Sequence, residues 1–299
     1  MRWLVSGAGG QLGRCLVRTL ESSSRHELVA AFDHGALDLA DAERITRVVA
    51  DHAGRANVFV NAAAFTHVDR CEAEEDLAQR VNGDGPACLA AACLRAGVKL
   101  VHLSTDYVFD GRASRPYTEE DRTSPTSAYG RTKLLGEERV LAASSDFLVA
   151  RTSWLFGPGR NFVRTMLEQA AARQARGDAT PLRVVDDQFG SPTFAGHLAE
   201  GLVGLVEGGA RGLYHLANRG IATWWEVARE SLDQGGYRSV AIERVRTSEF
   251  PRPAPRPAYS ALDCTKAERS GVLLPAWRDG VAGYLGSEAS PLHNLGGPT

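Results

Sequence analysis

The sequence predicts an α/β fold: a doubly wound parallel sheet with a smaller, mostly C-terminal α/β domain. Three observations carry that reading. Apolar runs of strand length alternate with helix-length segments through the first half; a glycine-rich turn follows the first run; and the rhythm changes after Gly157. Strands covered by helices on both faces read as near-continuous apolar runs, which is the pattern here.

In chain order, "RWLVSG" is a strand ending in glycines and "QLGRCLVRTLES" the helix it feeds. "HELVAAFD" reads as a strand, "DAERITRVVADH" as an amphipathic helix and "ANVFVNAAA" as a strand. "NGDGPACLAAACLRAG" is a helix, "VKLVHLST" a strand, "SAYGRTKLLGEERV" a helix and "DFLVARTSWLFG" a strand. Beyond Gly157 come the helix "NFVRTMLEQAAARQA", the strand "PLRVVDD", the helix "FAGHLAEGLVGLVEG", the strand "GLYHLA" and the helix "TWWEVARESLDQ". Four prolines between Phe250 and Asp263 exclude a regular helix or central strand there, leaving a linker or a loop laid over a site. The boundaries predicted are 1–157 for the first domain, with segments near 181–218 contributing, an interleaved second domain over 158–290, and a tail over 291–299. The end from Ser287 onward is expected to fray.

The 299 residues are 43% hydrophobic and 23% charged with a formal net charge of −2, an ordinary globular composition. Near-neutrality removes the field a nucleic-acid binder would use. No apolar run approaches membrane-spanning length, and the first ten residues hold no signal-peptide core, so a cytoplasmic protein is expected. Five scattered cysteines without a CxxC suit reduced thiols in packing roles.

"VSGAGGQLG" sets Gly7, Gly10 and Gly13 at a G-x-x-G-x-x-G spacing, with Gly9 as an extra and Gln11 and Leu12 opening the helix. Without Cβ atoms the backbone amides of a helix N-terminus can meet a pyrophosphate, whose charge the helix dipole favours. A strand, this loop and a helix at the start of an alternating chain read as a Rossmann-type dinucleotide site. Asp33, ending the second strand, is placed to accept ribose hydroxyls, with Asp38 as a rival and Leu39 beside it. No arginine lies between His34 and Glu43 to meet a 2′-phosphate, so NADPH and NADH both stay open.

"VHLSTDYVFDG" puts Ser104 and Thr105 at a strand's carboxyl end, on the ligand side of such a sheet. Tyr129 and Lys133 stand four apart on one helical face. A free phenol titrates near 10. A neighbouring ammonium is expected to favour the phenolate and bring that value toward neutrality, a hydroxyl to stabilise charge on a substrate oxygen, and a nicotinamide to exchange hydride.

Six stretches in order, "GAGGQLG", "NAAAFTHVDRCE", "STDYVFDG", "YGRTKLLGE", "RTSWLFG" and "DDQFGSPT", with a weaker "RPAYSALD", resemble the extended short-chain dehydrogenase/reductases and, more narrowly, the dTDP-4-dehydrorhamnose reductase family. The resemblance implies Thr105, Tyr129 and Lys133 as catalytic residues, with Asn61, Ala62, Ala63 and Ala64 lining the cofactor cleft. It implies NAD(P)H-dependent reduction of the 4-keto group of a dTDP-4-keto-6-deoxysugar, with NADPH the preferred cofactor, by a monomer or homodimer. Related dehydratases carry an Asp-Glu pair after the strand-end threonine; Thr105-Asp106-Tyr107 lacks the glutamate, which disfavours elimination. An epimerase of the same fold and a non-catalytic, dinucleotide-binding regulatory subunit are the alternatives. The substrate pocket is expected to draw on Thr66, Val68, Thr105, Asp106, Tyr129, Trp154, Asn161, Met166, Gln188 and Arg256, the arginine facing a diphosphate. Some members of the family hold a divalent metal between subunits through an acid on the first helix. Cys15 stands there in this chain, a poor ligand for Mg²⁺, so no metal is expected.

Overall fold

The computed structural model describes residues 1–295. The last part of the tail placed at 291–299 therefore lies outside the described residues. Six strands form the central sheet: β1 (Arg2–Ser6), β2 (Glu27–Phe32), β3 (Val58–Asn61), β4 (Lys99–Thr105), β5 (Leu148–Thr152) and an edge strand, Gly212–His215. Their order is edge strand, β5, β4, β3, β1, β2, and each pairing is parallel. The chain runs outward from β1 to β2, then returns to β3 on the other side of β1. That reversal opens a crevice at the carboxyl ends of β1 and β3, the usual ligand site of such sheets.

Helices cover both faces. α1 (Gln11–Glu21) presents Leu12, Leu16 and Leu20 to the sheet. On the opposite face α2 (Ala42–Asp51), capped by Asp41, buries Ile45, Val48 and Val49. Two short helices follow β3: α3 (Val68–Ala73) and α4 (Glu75–Gln79), the second continued by one π-helical turn, Arg80–Asp84. α5 (Gly85–Ala96) and α6 (Ala128–Ala143) complete that layer, with Leu89, Cys93 and Val140 in its core. Each large aliphatic side chain so buried contributes roughly 1.5–3 kcal/mol by leaving water.

Past β5 the chain builds α7 (Phe162–Arg176), then α8 (Ala195–Glu207), which packs beside α1 through Leu198, Leu202 and Leu205. α9 (Trp224–Gln234), closed by a Thr223–Glu226 capping box, α10 (Thr265–Arg269) and α11 (Trp277–Leu285) follow. α7, α9 and α11 enclose a separate core containing Met166, Leu167, Leu232, Trp277 and Tyr284. Several pieces carry no legible sequence signal. α3, α4 and the strand Ile242–Val245 are too short for a periodic pattern, and Gly280 and Gly283 interrupt that of α11.

The expected fraying from Ser287 is corrected. Ser290 is buried and caps the 3₁₀ turn Pro291–Asn294, and Leu292 and Leu295 pack on the α7–α9–α11 core, which supplies the apolar contact an isolated tail lacks. The proline-rich segment is a loop: Phe189 N–H bonds the Ala258 carbonyl, Ser260 N–H the Phe189 carbonyl and Tyr117 N–H the Ala261 carbonyl. Cys15 packs against the sheet core, where burial pushes its thiol up to about 11 and keeps it protonated. No helix among the described residues is long and apolar enough to cross a membrane.

Candidate active site

Strand register assembles the site. Ser6 pairs with Asn61, Asn61 with His102, and Thr105 with Thr152, so the ends of β1, β3, β4 and β5 are brought side by side. Gly7 follows Ser6 with φ 72°, and a Cβ on it would stand 2.6 Å from the Ala63 nitrogen; the glycine loop thus lies directly on the Ala62–Ala63 backbone. A Cβ on Gly13 would meet the Gly7 carbonyl oxygen at 2.0 Å. Gly10 starts α1 without a side-chain cap, leaving the first helical amides for an anion. These features fit a dinucleotide diphosphate, and Ser104 Oγ, buried without a hydrogen-bond partner among the described residues, faces the same need for a ligand.

Around that cradle, Leu12 and Leu39 turn their side chains into the core, leaving their backbones to the loop. Asp33 Oδ1 accepts the Ala36 N–H at 2.9 Å, and Asp38 Oδ1 the Ala40 N–H at 2.9 Å. Gln11 reaches the Arg160 carbonyl. Two arginines that the sequence does not single out fold back onto the loops at this end of the sheet, Arg14 onto the glycine loop after β1 and Arg44 onto the turn after β2. Arg14 Nε donates to the Gly9 carbonyl at 2.9 Å and Arg44 Nε to that of Ala36 at 3.1 Å.

α6 carries Tyr129 and Lys133. Ser127 caps the helix through the Gly130 N–H, and Glu72 accepts the Ala128 N–H. Gly130 is needed because a Cβ there would stand 2.2 Å from the Tyr107 carbonyl oxygen. That close approach sets Tyr129 edge-on to Tyr107, ring centroids 5.5 Å apart. Tyr129 keeps part of its ring exposed, yet burial raises its phenol above the ordinary 10; Thr105 favours the phenolate, while Asp106, Tyr107 and Cys71 oppose it. The expectation that Lys133 brings the phenol toward neutrality is corrected here. Lys133 Nζ donates to the Leu103 carbonyl at 2.5 Å and lies 3.5 Å from His102 Nε2, against β4. Burial lowers Lys133 itself to about 8, with Glu137 pulling the other way.

Thr105 Oγ1 donates to Asp106 Oδ1 at 3.0 Å, and Ser153 Oγ to Asp106 Oδ2 at 3.0 Å. Burial raises Asp106 to about 6, opposed by hydrogen bonds from Ser260, Thr105 and Ser153. Two distant segments therefore join the end of β4 on one carboxyl, the proline-rich loop reaching it through Ser260. Behind the site Glu137 is in a buried ion pair with Arg151, which also approaches His215 Nε2 at 3.3 Å.

The expected substrate residues take varied places. Trp154, with a left-handed backbone (φ 47°), stacks on Trp224 at 3.7 Å with the rings 2° from parallel. Gly190 permits this, since a Cβ there would stand 2.3 Å from the indole. Gln188 accepts from Trp224 Nε1 and donates to Thr247. Arg256 Nη2 bonds Asp69 Oδ1 at 2.9 Å, anchoring the proline-rich loop to α3 near Val68. Thr66 is exposed. Asn161 caps α7 and donates to the Gly157 carbonyl and Tyr284, and Met166 is buried in the α7–α9–α11 core, so both side chains are engaged in packing. Ala64 precedes Phe65, whose backbone Asn82 of the π turn holds through two hydrogen bonds. The sequence offers no local sign of Asn82, although π turns recur at functional sites.

The chain is similar to known proteins over nearly its whole length. A family model described as "RmlD substrate binding domain" matches residues 1–289. A probable dTDP-4,6-dihydroxy-2-methyloxan-3-one 4-ketoreductase of Streptomyces antibioticus is 43% identical over 94% of this chain and 93% of that protein. A dTDP-4-dehydrorhamnose reductase of Mycobacterium tuberculosis is 40% identical over 97% of this chain and 94% of that protein. The crystal structure of a Bacillus anthracis dTDP-4-dehydrorhamnose reductase in complex with NADP superposes with a TM-score of 0.85 at 33% identity, covering 95% of this chain and 98% of that one.

Proposed function

Because the chain belongs to the RmlD substrate binding domain family of extended short-chain dehydrogenase/reductases, we propose that it reduces the 4-keto group of a dTDP-4-keto-6-deoxysugar with NAD(P)H. The observation that carries this reading is Tyr129, a protonated phenol beside Thr105, at the end of the strand next to the one the glycine loop rests on. Reduction of a ketone needs a proton donor at the start, and a phenol raised above 10 holds its proton at neutral pH.

The dihydronicotinamide supplies the hydride when bound. This chain's residues do the rest. The amides at the start of α1 hold the diphosphate. Tyr129 Oη gives its proton to the carbonyl oxygen, Thr105 Oγ1 turns its one proton from Asp106 to the phenolate left behind, and Lys133 Nζ, on the same helical face, offers it positive charge. Trp154 and Trp224 offer a flat wall to a base or sugar. Mixing the protein with NADPH and a panel of dTDP-4-keto-6-deoxysugars, and following nicotinamide absorbance, tests the reading. Oxidation of NADPH with conversion of the 4-keto group supports it; tight cofactor binding with no turnover on any sugar opposes it in favour of a regulatory subunit.

NADPH is the cofactor this reading favours, because Arg14, on the Gly9 carbonyl beside Asp33, and Arg44, on the turn after β2, bring positive charge to the end of β2. Arg14→Ala is expected to raise KM for NADPH by about tenfold, the worth of one charge-assisted contact, with a smaller change for NADH. Steady-state kinetics with both cofactors measure the split. Gly13→Ala, whose Cβ has no room against the Gly7 carbonyl, is expected to weaken binding of both cofactors alike by at least about tenfold, read by fluorescence titration.

A further inference from the structure

His102 is a titratable group with no exposed surface, in β4, to which the proposed chemistry gives no task. Its ring lies between two side chains: Asn61 Nδ2 is 3.0 Å from Nδ1, and Lys133 Nζ is 3.5 Å from Nε2. The orientation of the Asn61 amide is fixed from its other end. Oδ1 accepts from Ser6 Oγ at 2.8 Å and from the Ala63 backbone N–H at 3.2 Å, and a backbone N–H can only donate. The amide NH₂ must therefore face His102, and it can bond Nδ1 only if that nitrogen carries no proton. Burial is the larger cause holding His102 well below 6.5, a Lys133 charge only adding to it when present, so the ring is neutral with either form of the lysine. A neutral imidazole with a bare Nδ1 carries its proton on Nε2, the nitrogen that faces Lys133.

An Nε2–H opposite an ammonium sets two donors against each other. Opposite a neutral amine it makes a hydrogen bond, the amine lone pair accepting while an amine N–H goes to the Leu103 carbonyl. We propose that His102, locked in its Nε2–H tautomer by Asn61, is a positioning residue that holds Lys133 as the neutral amine against β4 in the free enzyme at mildly alkaline pH, and that Lys133 takes a proton from solvent when it leaves this seat for the bound cofactor. The second half rests on the proposed dinucleotide site; the first does not. The other charged group acting on Lys133 is Glu137, a turn after it on α6, while Tyr129 stands a turn before it in the helix. Glu137 favours the ammonium but is paired with Arg151 of β5. The lowering of Lys133 to about 8 runs in the direction this arrangement requires.

Nuclear magnetic resonance of the full chain tests both halves. Among eight histidines, the ¹⁵N signals of His102 are those lost in His102→Phe; among three lysines, Lys133 is the ¹³Cε signal lost in Lys133→Met. In the unsubstituted free protein His102 is expected to show a protonated Nε2 and a bare Nδ1 at mildly alkaline pH. A protonated Nδ1 would overturn the proposal without any variant. In His102→Phe the midpoint of Lys133 is expected to rise by about one unit, since the donor that favours the amine is gone. A fall would mean that the ring had been accepting from an ammonium, and would overturn it too. Should that variant not fold, Asn61→Asp serves: a carboxylate draws the ring proton to Nδ1, so the ¹⁵N pattern inverts and Lys133 titrates higher, and an unchanged pattern opposes the proposal. Adding NADPH near pH 9 is expected to move the Lys133 signal to its protonated position. No movement despite cofactor binding overturns the second half, whereas failure of NADPH to bind overturns the assigned function and leaves the tautomer result standing.

Discussion

Replacing Tyr129 by phenylalanine is expected to lower kcat by about three orders of magnitude, within the range general acids supply. The substitution removes one oxygen and keeps the ring, so the edge-on contact with Tyr107 and the fit of Gly130 under the Tyr107 carbonyl persist, and α6 stays where it is. What is lost is the proton donor and the oxygen that Thr105 bonds. Cofactor affinity is expected to stay within about twofold, because a hydroxyl contact at the edge of the dinucleotide is worth at most a fraction of a kcal/mol when it is partly solvated. Single-turnover rates and a fluorescence titration of NADPH give the two halves separately. Retention of most of the rate would remove Tyr129 as the acid. It would point instead to Asp106, the neighbouring carboxyl that burial raises to about 6.

Part of that centre is legible in the amino-acid sequence alone. Tyr129 and Lys133 fall on one helical face because a four-residue spacing is a property of the helix itself. Gly7 and Gly13 are legible because close backbone approach leaves a composition signal, and Thr105 because strand ends define the ligand side of a parallel sheet. Where Lys133 points is not. Its seat depends on the Leu103 carbonyl and on His102, thirty and thirty-one residues away in the chain, and on a register no pattern reports. The same holds for Asp106, whose partners Ser153 and Ser260 arrive from separate segments, and for Arg256, whose partner Asp69 sits on a helix too short to read. Spacing by itself presents Tyr129 and Lys133 as an isolated electrostatic unit. In the folded chain desolvation is the larger influence on both, raising the phenol and lowering the amine.

Asp106→Asn is expected to stabilise the protein above pH 6 while slowing the reaction. The sign follows from linkage. Asp106 is raised from 3.8 to about 6 in the fold, so the native state binds its proton more tightly than the unfolded chain. The stability that this brings is complete below the unfolded value near 4 and is lost as pH rises through about 6. A shift of roughly two pH units corresponds to about 3 kcal/mol, the cost at neutral pH of keeping a carboxylate where burial disfavours it. An amide avoids that charge. Its Oδ1 can still accept from Thr105 Oγ1, while its NH₂ faces Ser153 Oγ, a hydroxyl that can reverse its role and accept. The repaired contact is weaker than the original, so a gain of about 1–2 kcal/mol is expected at pH 8, shrinking toward zero or reversing at pH 4. Thermal melts of the two proteins between those limits measure it, and a variant less stable at every pH would show that burial of the carboxylate is not costly here. The rate should fall because Thr105 would then donate to a neutral amide in place of a carboxylate. A weaker acceptor leaves less electron density on the threonine oxygen and changes how firmly that hydroxyl is aimed, at the position from which it supports Tyr129. A pH–rate limb near 6 present in the unsubstituted enzyme and missing in Asp106→Asn would tie the two effects to one proton.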